Sequence, residues 1–168
     1  MEIVYKDSKQ DIFKSECECI TNPVNSIGIM GAGLAKKFLQ RYPKQCEHFN
    51  QDCKDRQEYQ KEHFKDGIIW VTPELYLPGG FTFADGETPY SILMFTTKRH
   101  WAEKSRLEYI EEGLFYAFED LNKAGIQSVA FPALGCGLGG LKRDDVFEII
   151  ESKTDQYFKG NKVEIYEG

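Results

Sequence analysis

With 168 residues the chain falls in the size range of one domain, and a fold of this length buries roughly 70% of the surface its unfolded chain exposes, so one sizeable core is expected. Hydrophobic residues at 41%, charged residues at 29%, 12 Phe and 9 Tyr exclude a disordered or low-complexity chain. The formal net charge of -6 excludes a protein that coats duplex DNA by neutralising many phosphates, so any nucleic-acid contact must be local.

No stretch reaches the ~18 apolar residues of a membrane span, and the N-terminus, MEIVYKDSKQ, lacks the apolar core of a secretion signal. A cytoplasmic protein is expected. The five cysteines include Cys17 and Cys19 one residue apart, Cys46 and Cys53 at two helical turns, and Cys136 between glycines, without a CxxC pair. Zinc ligands come as short repeated pairs, so these thiols read as reduced core or loop residues, with no metal and no cofactor expected.

In chain order, short apolar runs alternate with helical patterns, which predicts an α/β fold with a sheet covered by helices on both faces. Strands are predicted at Glu2–Tyr5, Glu18–Thr21, Ile68–Thr72, Tyr90–Phe95, Gln127–Phe131 and Lys162–Tyr166. SILMF and SVAF are too apolar for half-exposed strands and read as central ones. A helix opens near Gly31 and Gly33 and ends at Arg41, and another runs from Pro43 to about Arg56. Residues 73–89, with PGGFTFADGETP, hold too many turn formers for more than a short hairpin. The clearest helix starts with a capping box, Ser105-x-x-Glu108. It carries Leu107, Ile110, Leu114, Ala117, Phe118 and Leu121 on one stripe, and stops at Gly125. The last, Asp144–Ser152, uses Val146, Ile149 and Ile150.

Two glycine-rich segments follow predicted strands, and in open α/β sheets ligands bind at strand carboxyl ends. NPVNSIGIMGAG, Asn22–Gly33, runs into a helix, so Gly28, Gly31 and Gly33 let the backbone approach a ligand while free amides at the helix start face an anion. PALGCGLGG, Pro132–Gly140, offers a second set of N–H donors. Either alone would read as a tight turn; together they predict a diphosphate cradle. No Gly-Lys-Ser/Thr follows, and Lys36 breaks GxGxxG, so a P-loop and an ordinary dinucleotide fingerprint both lose support.

The order of Asp11-Ile12, the 22–33 loop and its helix, and the later PALGCGLGG loop resembles the macrodomain family, which binds ADP-ribose. FTTKRHWAEKSRLEYIEEGL, Phe95–Leu114, with GIMGAGLAKKF, is similar within that family to the branch containing the DarG antitoxin and the terminal ADP-ribose glycohydrolase. The resemblance covers nearly the whole chain. It implies a single macrodomain over 1–168, three α/β/α layers with a central mixed sheet of about six strands.

By position, the resemblance implies that Asp11 and the backbone of Ile12 recognise adenine, although Asp11 also reads as a solvated turn acid. It gives Asn22 and Asn25 contacts to the distal ribose, with Asn25 the stronger candidate and part of the catalytic set. Gly28, Ile29, Met30, Gly31 and Gly33 would wrap the ribose and diphosphate from one side. Gly135, Cys136, Gly137, Leu138 and Gly139 would do so from the other. Lys98 matches the branch's catalytic lysine, with Thr97 beside it; without the resemblance it would read as a surface charge. A dry pocket would make it a nucleophile toward the anomeric carbon, and a charged amine would instead stabilise or protonate the leaving base. Gly139 departs from the terminal glycohydrolase, which has a catalytic aspartate there, and agrees with DarG, which acts on thymidine-linked ADP-ribose in single-stranded DNA.

Arg99, His100 and Trp101, with Lys104 and Arg106 following, form a local basic patch with an aromatic. Trp101 reads equally as a platform for an unpaired base or as a packing residue over the next helix. The expected function is an ADP-ribosyl glycohydrolase acting on DNA. The alternatives are a non-catalytic ADP-ribose reader and a hydrolase of protein-linked ADP-ribose esters. Expected partners are ADP-ribose or ADP-ribosylated single-stranded DNA and, functionally, a DNA-modifying ADP-ribosyltransferase toxin. No membrane contact is expected, and the chain is expected to be a monomer.

Overall fold

Apolar runs long enough to be covered on both faces fold here as the middle of a sheet. The computed structural model describes residues 1–63, 81–83, 91–98 and 102–168. Its strands are β1 (Glu2–Lys6), β2 (Cys19–Asn25), β3 (Phe81–Phe83), β4 (Ser91–Lys98), β5 (Ser128–Phe131) and β6 (Lys162–Tyr166). Its helices are α1 (Gly33–Arg41), α2 (Pro43–His63), α3 (Leu107–Lys123) and α4 (Arg143–Tyr157), with a 3-10 turn at Ile12–Lys14. The six strands lie in the order β1-β6-β5-β2-β4-β3. All pairs are parallel except β3 with β4, so the sheet is mixed, as expected.

Strand alternation divides the core in two. Cys19, Leu93, Phe95, Val129, Phe131, Val163 and Ile165 face α3 and α4, meeting Ile110, Leu114, Phe118, Val146 and Ile150. Ile20, Val24, Ile92, Met94 and Ala130 face the other way, against Phe38 of α1 and Cys46, Phe49 and Cys53 of α2. The anticipated stripe of α3 is buried from Ile110 to Leu121, with Leu107 half-buried, and Gly125 ends that helix region at φ +72°. Four cysteines are buried, Cys136 is half-buried, and none of the five forms a disulfide among the described residues.

Several boundaries differ from expectation. β2 runs on to Asn25, so Asn22 lies inside a strand rather than in a loop. Pairing with β5 ends at Ile20, so Pro23, which has no N–H, sits where β2 is paired on one side only. α2 continues past Arg56 to His63, and α4 runs from Arg143 to Tyr157. The Ser105 capping box does not form: α3 begins at Leu107 behind Arg106, without a side-chain cap. Ser105 is buried instead, and its N–H donates to the Gly139 carbonyl at 3.0 Å. The predicted strand Ile68–Thr72 lies outside the described residues, as does most of 73–89 apart from β3.

Candidate functional site

β2, β4 and β5 end side by side, and the two glycine-rich loops leave from β2 and β5. β2 and β4 pair in register from Cys19↔Ser91 to Val24↔Thr96, and then the register slips so that Asn25 partners Lys98. Thr97 is the extra residue, its hydroxyl donating to the Val24 carbonyl at 3.3 Å. The Ser26 N–H donates to the Lys98 carbonyl at 3.1 Å and closes the pairing. Lys98 is 9% exposed. Burial, and then the charge of Lys104, hold its amine below the ordinary lysine value.

Beyond these strand ends lies a cavity of about 550 Å³ lined by both loops. On one side it meets Asn25, Ile29, Gly31 and the opening of α1; on the other, every residue from Gly135 to Gly139; between them lie Thr97 and Lys98. The size suits a drug-sized or nucleotide-sized ligand.

The first loop is braced by side chains. Asn25 spans it, with Nδ2 donating to the Ile29 carbonyl at 2.8 Å and Oδ1 accepting the Ile29 N–H at 3.2 Å. Asn50 of α2 donates to the Gly28 carbonyl at 2.9 Å. Gly28 needs its hydrogen: φ is +78°, and a Cβ would sit 3.0 Å from the Asn50 Cα. Ala32 supplies no side-chain cap to α1, so the first-turn amides of Gly33, Leu34 and Ala35, which have no partner within the helix, open toward the cavity, and the first turn carries no acidic residue.

The second loop is braced by its own backbone. Cys136 N–H donates to Ala133 O at 3.1 Å, Gly140 N–H to Gly137 O at 3.2 Å and Leu141 N–H to Gly135 O at 2.9 Å. The amides of Gly137, Leu138 and Gly139 make no backbone bond among the described residues and line the cavity. A Cβ on Gly139 would lie 2.4 Å from Ser105 Oγ and 2.5 Å from the Gly135 carbonyl oxygen, so this position excludes any side chain, a carboxylate included.

Five of the anticipated site residues do not line the cavity. Asn22 is fully buried, its Nδ2 against the sulfurs of Met94, Met30 and Cys46 at 3.5, 3.8 and 3.9 Å, because strand alternation turns it toward α2. Met30 is buried under the first loop, and Gly28 packs on α2. Asp11 is exposed, its carboxylate accepting the Phe13 N–H at 2.9 Å to cap the 3-10 turn in which Ile12 is buried. Asp11 borders a separate depression with Lys6, Lys9 and Lys14. Arg99, His100 and Trp101 lie outside the described residues.

Sequence reasoning missed Arg143, the first residue of α4, which borders the cavity as a cation. Its position three residues past the second loop's closing glycines was the available signal. It also missed Lys104 and Ser105 as partners of the second loop; the Lys104 side chain packs over Gly140, where a Cβ would lie 3.4 Å from its Cδ.

A family model for the Macro domain matches residues 21–150. A Thermosipho africanus protein described as a DNA ADP-ribosyl transferase-DNA ADP-ribosyl glycohydrolase fusion protein is 36% identical over 138 residues, 79% of this chain and 34% of its own length. The solved macrodomain of Mycobacterium tuberculosis DarG superposes with a TM-score of 0.79 at 30% identity, over 99% of this chain and 97% of that one. The structure of Thermosipho africanus DarTG in complex with ADP-ribose gives a TM-score of 0.74 at 27% identity, over 98% of this chain and 42% of that one. The chain spans between 34% and 39% of the length of the curated DNA ADP-ribosyl glycohydrolase relatives it matches. With sheet order, paired loops and family model in agreement, the chain belongs to the macrodomain family.

Proposed function

We propose that this chain binds ADP-ribose in the 550 Å³ cavity and hydrolyses the glycosidic bond that joins it to DNA, acting on a thymidine-linked modification in single strands. The observation that carries the reading is the pairing of Asn25 with Lys98, which sets a buried amine between two amide-lined loops. The α1 amides and those of Gly137–Gly139 suit a diphosphate, and the sugar beyond it then meets Lys98. Residues 1–168 are taken as one macrodomain.

The lowered proton affinity of Lys98 supports the neutral amine as nucleophile. It attacks the anomeric carbon and the carbon–nitrogen bond to the base breaks. The electron pair leaves with the base, which takes the proton the amine gives up. The sugar ring then opens to a Schiff base, and water releases ADP-ribose and restores the amine. Asn25 holds the loop that carries the sugar. Against the protein-ester alternative stands Gly139, where a resolving carboxylate has no room. The relatives' names, one of them a fusion with a DNA ADP-ribosyl transferase, support DNA as the substrate and a transferase as functional counterpart.

The test is incubation with an oligonucleotide carrying thymidine-linked ADP-ribose. Free ADP-ribose and unmodified DNA are expected. An intact substrate, alongside tight ADP-ribose binding by calorimetry, would leave a non-catalytic reader in its place.

A further inference from the structure

We propose that Ser105 is a positioning residue that favours the ligand-bound form of the diphosphate loop, an inference that rests on the ADP-ribose reading above. Ser105 lies in the connection from β4, which ends in Lys98, to α3. It is 6% exposed, and its hydroxyl finds no hydrogen-bond partner within the protein among the described residues. Its backbone is nonetheless fastened to the loop, N–H to Gly139 O at 3.0 Å. A Cβ placed on Gly135 would lie 3.0 Å from the Ser105 Cβ, and one on Gly139 2.4 Å from its Oγ. The side chain therefore occupies the floor of the loop, between the two glycines.

A buried hydroxyl without a partner is a standing cost to the state that contains it. One acceptor belongs to the loop itself. The Gly135 carbonyl accepts one bond, from Leu141 N–H at 2.9 Å, and keeps a second lone pair. A Cβ on Gly139 would lie 2.5 Å from that oxygen as well, so Ser105 Oγ and Gly135 O crowd the same point. When phosphate oxygens draw the amides of Gly137, Leu138 and Gly139 inward, a small turn of the loop brings the Gly135 carbonyl to the Ser105 O–H. The bond exists only in the closed state and so favours ligand.

Ser105→Ala removes the hydroxyl and keeps the backbone bond. ADP-ribose affinity, measured by calorimetry, is expected to fall roughly five- to tenfold, while the ligand-free protein melts at the parent temperature or above it. Ser105→Cys, a weaker donor of similar size, is expected to fall between Ser105→Ala and the parent. Parent-like affinity in Ser105→Ala, or a loss of affinity matched by a lower ligand-free melting temperature, would overturn this role. Should Ser105→Ala not fold, a Ser105→Cys protein with parent-like affinity would do the same. Absence of ADP-ribose binding by the parent protein is a different result, one that removes the ligand reading and the role of Ser105 with it.

Discussion

The two loops that flank the cavity do similar work by opposite means. The first is held open by side chains, Asn25 across its neck and Asn50 from α2, with exposed Ile29 at its tip. The second is held by backbone bonds among its own residues and fits so tightly at Gly139 that only a hydrogen has room. A loop braced by side chains is weakened by taking atoms away. One braced by backbone is weakened by adding them.

Lys98 lies between the loops at the end of β4, so truncating its side chain tests chemistry apart from grip. Lys98→Ala is expected to lower turnover of ADP-ribosylated DNA by roughly 10²–10⁴-fold with ADP-ribose affinity retained; parallel loss of affinity in calorimetry would make Lys98 a binding residue instead. Next in size is Gly139→Ala. Overpacking against the Gly135 carbonyl and Ser105 should cost about 1–3 kcal/mol, and roughly 10–100-fold in ADP-ribose affinity if the loop distorts rather than the core. Equal affinity would show that the second loop yields easily and that the contrast is false.

For the first loop, Asn25→Ala removes two bonds to Ile29 and Asn50→Ala one bond to Gly28. Losses of about tenfold and about fivefold in affinity are expected, in that order. A reversed order would make α2, rather than the neck, the brace. The smallest effect concerns Lys104. A neutral-amine nucleophile gives a rate that rises with pH, with its midpoint below lysine's ordinary 10.5 because burial and Lys104 disfavour the charged form. Removing that neighbouring charge in Lys104→Ala should move the midpoint up. The same sign applies to stability: below the folded value Lys98 is charged in both states and its burial costs stability. That cost is relieved as pH rises through the window up to 10.5, so Lys98→Met should melt higher than the parent at neutral pH.

Much of this was legible in the chain. SILMF and SVAF read as doubly covered strands because a strand buried on both faces has no polar side to show, and β6 was read at its observed bounds. The placement of both loops at strand ends followed from the strands predicted at Glu18–Thr21 and Gln127–Phe131. Asn22 was misjudged because a polar residue before Pro looks like the start of a turn, whereas β2 continues through it with its amide among sulfurs. Ser105 was misjudged because a capping box is a local pattern, and the loop that claims Ser105 comes some thirty residues later in the chain. Arg143 was passed over although it stands three residues past Gly140, because a helix's first cation ordinarily reads as solvated. Contacts between distant segments decide all three, and periodicity carries no trace of them.

The uneven pairing at the end of β2 and β4 has a consequence of its own. Side chains alternate along a strand, so a residue count that is off by one reverses every face beyond it. Thr97 supplies that odd count, and beyond it Lys98 comes level with Asn25 at the mouth of the cleft. Removing this one threonine would leave both hydrophobic layers as they are and bring Lys98 opposite Asn25 in unbroken register, since Val24 already partners Thr96; what would be lost is the bulge and the hold of the Thr97 hydroxyl on the Val24 carbonyl. The irregularity at the mouth of the cleft, rather than the partnership of Lys98 with Asn25, is what this supernumerary residue contributes.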